Sequence, residues 1–283
     1  MALAFIPSDA AVLVLQAGVV LAPRRPPEVG WIRRFRHPAW AVIPIASIVG
    51  VIYMIRYASS SATGITWLAL IAVPILAAAA LGWSSRGARL WLAPIAGGLF
   101  ALAWASRTTL WGEGATAILE ALSCVTLGVL LAAVTPPTWL KLGLVAMSAA
   151  DVWLVGSDLL QAPNTTLVSA APLPGSGLPQ LQSVSFGSVS LGYGDLFVAG
   201  LLGAVLAREV RSQAPMALLT LVLAGAFDLL FFFVNELPAT VPVALALIFG
   251  EAWRWRSRRR ATAAVSAARR RSTPADATPR PVR

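Results

Sequence analysis

Two aspartates, Asp151 in AADVWLV and Asp195 in LGYGDLFVAGLL, are the residues of this chain best suited to chemistry. Asp195 lies in Ser188–Ala207, an apolar stretch around which the rest of the sequence is organised, and it follows Gly192-Tyr193-Gly194. An ionised side chain at membrane depth is costly, so an acid in such a stretch is a functional candidate by default. Two carboxyls brought together cannot both ionise cheaply and share one proton. The ionised one then activates a water while the protonated one polarises a carbonyl, and titration belongs to the pair. That chemistry is hydrolysis with water as the nucleophile, and it needs no metal or organic cofactor. Gly192 and Gly194 remove side chains just ahead of Asp195, which leaves room for another helix or an extended peptide.

The elements that must position these acids are membrane spans. Of 283 residues, 58% are hydrophobic and 12% charged, and the mean hydropathy is +0.75. This is too apolar for a soluble domain of such length. Nine apolar segments can be drawn: Ala4–Ala22, Ala39–Ile55, Ile65–Trp83, Leu90–Ser106, Gly114–Val134, Trp139–Gln161, Ser188–Ala207, Pro215–Asn235 and Leu237–Trp253. The expectation is an all-α polytopic membrane protein with nine transmembrane helices over residues 1–253. Residues 254–283 follow as a basic, disordered cytoplasmic tail.

Charge sets the orientation. The first segment has no Lys or Arg before it, and Arg24 and Arg25 follow it. A secretory signal has the opposite order, so the segment reads as a retained span with its N-terminus outside. With nine spans, 20 of the 22 basic residues fall on the inner side, and only Arg56 and Arg107 fall outside. The C-terminus is therefore expected in the cytoplasm of a multi-pass cell-membrane protein. The net charge of +10 does not indicate nucleic acid, because ten basic residues lie from Arg254 onward and five between Arg24 and Arg36, beside apolar spans. Such residues set topology or touch anionic headgroups. A lone Cys124 and a lone His37 give neither an intrachain disulfide nor a thiolate or imidazole metal cluster.

Depth decides which acids can meet. Asp195 is about seven residues, or roughly 10 Å, from the outer end of its segment; Asp151 is about ten residues, or roughly 15 Å, from the outer end of the preceding one. Consecutive antiparallel spans put them at comparable depths. Asp158, on nearly the same face as Asp151, is a rival partner. Asp228 and Glu120 read as hydrogen-bonded to a neighbouring helix or to cavity water, and Asp9, Glu113, Glu236 and Glu251 as solvated interface residues. Between the sixth and seventh segments, Ala162–Gly187 is uncharged and rich in Pro, Gly and Ser. It reads as a flexible outer loop, or as a loop whose end, Leu178–Phe186, is an exposed edge strand able to pair with an extended peptide.

These motifs resemble the presenilin and signal peptide peptidase family of GxGD intramembrane aspartyl proteases, mainly over Trp139–Trp253. Gly192, Gly194 and Asp195 fit the GxGD motif. Asp151 stands where the family has its other catalytic Asp, with Ala150 in place of the usual Tyr. LPATVPVAL offers Pro238-Ala239-Thr240 for the family's Pro-Ala-Leu, with Thr in place of Leu. The resemblance implies a nine-span presenilin-like fold, a catalytic dyad of Asp151 and Asp195, and substrate contacts from Gly192, Tyr193, Gly194, Pro238, Ala239 and Thr240. Pro238 would keep backbone near the dyad free for substrate.

It further implies an endopeptidase acting on transmembrane helical peptides or remnant signal peptides. The orientation looks like that of signal peptide peptidase and is inverted relative to presenilin, so substrate helices would have their N-terminus inside. Three alternatives stand beside this reading. Prepilin peptidases also use a GxGD aspartate, but their paired cysteines have no counterpart here. An acid-lined transporter or channel could use Glu120, Asp151, Asp195 and Asp228. A catalytically inactive relative is compatible with Ala150 and Thr240.

Overall fold

The computed structural model describes residues 2–26, 34–57, 60–157, 159, 165–167, 169–170, 177–208, 210–232 and 237–272. It divides into two compact units, Met1–Ala246 and Leu247–Arg283. Among the described residues the long helices are α1 (Ala2–Leu21), α2 (Ile43–Tyr57), α3 (Ser60–Ala79), α4 (Ile95–Ala105), α5 (Leu110–Val134), α6 (Pro137–Gly156), α7 (Tyr193–Leu206), α8 (Val210–Asp228) and α9 (Thr240–Ser272). One helix thus falls in each apolar segment. Three helical stretches, Ala62–Ser84, Leu110–Val134 and Pro137–Gly156, are long and apolar enough to cross a membrane. Pro7–Leu21, Leu90–Ala105, Tyr193–Leu206 and Ser212–Asp228 are shorter apolar helices. Large apolar side chains such as Leu68, Ile71 and Ile75 on α3 and Trp111 on α5 are exposed, as on a surface that faces lipid.

α5 and α7 form the centre. α5 packs against α3, α4 and α7, and α7 also meets α1, α6 and α8. A helix that is apolar all round belongs in an interior, and from Leu196 to Ala207 every side chain of α7 and its C-cap is buried except the half-buried Phe197. Glycines allow this closeness. A Cβ on Gly200 would stand 2.5 Å from the Cys124 carbonyl oxygen of α5, and one on Gly203 2.5 Å from the Val20 carbonyl oxygen of α1. A polar knot closes the other end of α7. The buried Gln213 of α8 donates to the carbonyls of Gly203 (2.9 Å) and Pro23 (3.1 Å) and accepts from Arg86.

Two expectations change here. The seventh segment is not helical from Ser188. Its first residues form β2 (Val189–Gly192), paired antiparallel with β1 (Ser183–Phe186). Val184 faces Leu191 and Phe186 faces Val189, while Ser185 and Ser190 form the exposed pair. A period-2 alternation reads as a half-buried strand. Gly187, at φ 61° in the two-residue turn, supplies the positive φ such a tight hairpin requires. The strand foreseen in Leu178–Phe186 is therefore already paired on one side with its own chain.

The second change is in the tail. It is helical through Ser272, because Ala and Arg are strong helix formers and neither Gly nor Pro interrupts residues 251–272. The rest of the tail lies outside the described residues, as do Asp158, Glu236 and most of the loop 160–176.

Candidate active site

The hairpin delivers the chain to the N-terminus of α7. Gly192 is the N-cap, with φ −68° and ψ 145°. Asp195, at the third helical position, reaches back so that its Oδ2 accepts the Gly192 N–H at 3.1 Å. This is the carboxylate half of a capping box, and an acid in a first turn also suits the helix dipole. A Cβ at Gly192 would stand 3.0 Å from that Oδ2, whereas nothing lies within 4 Å of the place a Cβ would take at Gly194. Gly192 thus lets the carboxyl fold back onto the cap, and Gly194 borders open space.

Asp151 projects from the last two turns of α6, which packs on α7. The carboxyls of Asp151 and Asp195 are close enough for the charge of one to act on the other, and both side chains are half-buried. Thr240, the first residue of α9, grips Asp151. Its hydroxyl donates to Asp151 Oδ2 at 2.6 Å, and its backbone N–H donates to the same carboxyl. Ser148, one turn before Asp151, lies with its Oγ 3.4 Å from the same hydroxyl. Since that hydroxyl carries one proton, committed to the carboxylate, Ser148 is the donor in the second contact.

Other sequence-predicted residues are placed differently from expectation. Tyr193 turns into the bundle: its hydroxyl is 2.7 Å from Ser123 Oγ, and its ring packs against the cluster of Val73, Ala77, Ala96, Leu119 and Leu181. It is an anchor for the start of α7, with its hydroxyl already engaged. The backbone of the Pro238 turn is not free either. The Pro238 carbonyl accepts from Val241 N–H at 3.1 Å, and the Ala239 carbonyl accepts from Gln16 Nε2 at 3.1 Å. Proline removes its own N–H, but the neighbouring carbonyls find partners within the protein, as buried backbone groups must.

Glu113, expected to be solvated, accepts the Gly187 N–H at 2.7 Å and so pins the hairpin turn to α5. Asp228 is hydrogen-bonded to Asp9 of α1, and Glu120 is fully buried with neither carboxyl oxygen hydrogen-bonded to a described residue.

Sequence reasoning missed Gln16, Ser148, Ser123 and the role of Glu113. Gln16 carried the one usable signal, an amide in the middle of the otherwise apolar run Ala10–Ala22. A search for charged groups passes over it. Among the described residues no group of three or more His, Cys, Asp or Glu could hold a metal ion. What the arrangement offers is two carboxyls on adjoining helices, one held by a side-chain hydroxyl and the other by a helix cap, with open space at Gly194. No family model matches the chain, and neither curated proteins nor solved structures give a match.

Proposed function

We propose that the protein is an intramembrane aspartyl endopeptidase that hydrolyses peptide bonds within transmembrane segments or remnant signal peptides. The observation that carries this reading is the approach of Asp151 and Asp195 at the start of α7, next to a glycine with open space beside it. In the reaction, the ionised carboxyl takes a proton from water as the oxygen adds to the scissile carbonyl carbon. The protonated carboxyl gives its proton to the carbonyl oxygen. Collapse of the resulting diol, with a proton passed to the amide nitrogen, breaks the C–N bond and regenerates the pair.

In this reading the nine helices are nine spans, the presenilin-like arrangement named above, with the N-terminus outside and the basic C-terminal helix in the cytoplasm. The positive-inside distribution of arginines supports that orientation. Substrates are single helices with their N-terminus inside, unwound locally before attack. Among the described residues the hairpin β1–β2 retains an edge on each strand that pairs with no other strand, which suits an extended peptide. Thr240 holds Asp151, and Gly194 directly precedes Asp195. The exposed Arg256, Arg258, Arg259 and Arg260 of α9 face anionic headgroups.

Replacing Asp151 or Asp195 by Asn in the purified, reconstituted protein is expected to abolish cleavage of a transmembrane reporter peptide. Cleavage that persists at the original rate in either variant overturns the proposal. A second reading, an acid-lined proton transporter, is favoured only by the buried Glu120, unpartnered among the described residues, and the Asp9–Asp228 pair. Proton flux into liposomes that survives the Asp195 substitution and is lost on Glu120→Gln would select it.

A further inference from the structure

We propose that Gln16, on the first helix, is a positioning residue for the candidate dyad, acting through the turn that opens α9. This inference rests on the peptidase reading. Gln16 is 2% exposed, and its amide donates at 3.1 Å to the Ala239 carbonyl, 223 residues away in sequence. Ala239 immediately precedes Thr240, which is itself 3% exposed and whose hydroxyl donates to Asp151 at 2.6 Å.

The order of contacts is thus α1 amide, turn carbonyl, Thr240 hydroxyl, Asp151 carboxyl. Each link constrains the next. A peptide carbonyl held from one side fixes the plane of the Ala239–Thr240 peptide, and that plane fixes where the Thr240 N–H and Cα stand. Both groups that Thr240 offers to Asp151, the backbone N–H and the hydroxyl, depend on that placement. A carboxyl on an α-helix otherwise rotates about its terminal torsion with little preference. The two donors remove that freedom.

The burial of Gln16 gives the point physical weight. An amide in an apolar helix is costly unless hydrogen-bonded, and a Leu there would pack equally well. Its removal would take from the Ala239 carbonyl the donor that α1 supplies. α1 shares none of the motif residues over Trp139–Trp253, yet through Gln16 it enters the construction of the site. Thr240 gains a defined role as well: it orients Asp151, in addition to any contact with substrate.

The test is a double-mutant cycle on the full chain in liposomes, with kcat and KM measured on a transmembrane reporter peptide. Gln16→Leu is expected to lower kcat about 10-fold with KM unchanged, and Thr240→Val by about 10–100-fold, the range for misplacement of a reacting group by up to about 1 Å. Thr240→Ser, which keeps the hydroxyl, should retain most of the rate. Because Gln16 acts partly through the Thr240 hydroxyl, which Thr240→Val already removes, the double variant should lose clearly less than the product of the two single effects.

Multiplying effects in the double variant, a Gln16→Leu protein as fast as wild type, or a Thr240→Ser protein as slow as Thr240→Val would each overturn the inference. If Gln16→Leu does not fold, Gln16→Asn, which keeps the amide but shortens its reach by one methylene, gives the same comparison. Asp195→Asn run in parallel separates the two levels. A fully active Asp195→Asn protein overturns the peptidase reading itself, whereas an inactive one with an unaffected Gln16→Leu overturns only the positioning role.

Discussion

The two ends of α7 use the same residue type for opposite purposes. At its C-terminal half Gly200 and Gly203 are pressed against the backbones of α5 and α1, with carbonyl oxygens 2.5 Å from where a Cβ would be. At its N-terminus Gly192 meets only its own helix's Asp195, and Gly194 meets nothing within 4 Å. One half is packed for rigidity and the other is left open. For Asp195 in the proposed dyad both conditions would help, a fixed helix behind it and space in front for a substrate backbone.

This contrast predicts a graded series of substitutions. Gly200→Ala should be the most disruptive, since the backbone carbonyl it would strike cannot turn aside. A loss of about 1–3 kcal/mol or more is expected, as for overpacking in tight cores. Thermal unfolding in detergent measures it, and a neutral result would mean that α5 and α7 can separate cheaply.

Glu113→Ala removes a charged acceptor from the Gly187 N–H and should cost about 1.5–3 kcal/mol if the hairpin is cooperative with the rest. If only the hairpin loosens, hydrogen exchange at Val189–Gly192 should rise while global unfolding stays put. Tyr193→Phe loses the hydrogen bond with Ser123 and should cost about 1 kcal/mol with cleavage largely kept. A large loss of cleavage with unchanged stability would return Tyr193 to the substrate-contacting set.

Gly194→Ala should sit at the end of the series, within about 0.5 kcal/mol of wild type. Yet it fills space that a substrate would need, so cleavage should fall with KM rising. An unchanged KM would break the comparison between the open and the packed half.

Much of the helical layout was legible because it depends on local hydropathy. Apolar runs between Arg-rich loops mark where helices lie, and a helix falls in each of the nine segments. The proposed pairing of Asp151 with Asp195 draws on a signal of the same kind, depth counted at a fixed rise per residue. The start of α7 was less so. Ser188–Gly192 continues an apolar run that reads equally as a buried helix or a short strand. The finer signals were present all the same: Gly187 for a turn, alternating serines, and an acid three residues beyond Gly192 as a helix start. In the tail, a basic, low-complexity composition masks the helix propensity of its alanines and arginines, which carries α9 through Ser272.

Sequence by itself determined the membrane-like character of the chain, the order of its helices and the two acids most worth testing. These follow from residue chemistry and one-dimensional spacing. Tertiary structure alone decided the partners. It turned Tyr193 inward to Ser123, gave the hairpin turn to Glu113, joined Asp228 to Asp9, and set Gln16 and Thr240 in line with Asp151. The physical reason is that hydrogen bonds between residues far apart in sequence depend on how helices rotate and approach. Packing fixes that rotation through contacts such as those at Gly200 and Gly203, and no local pattern records it.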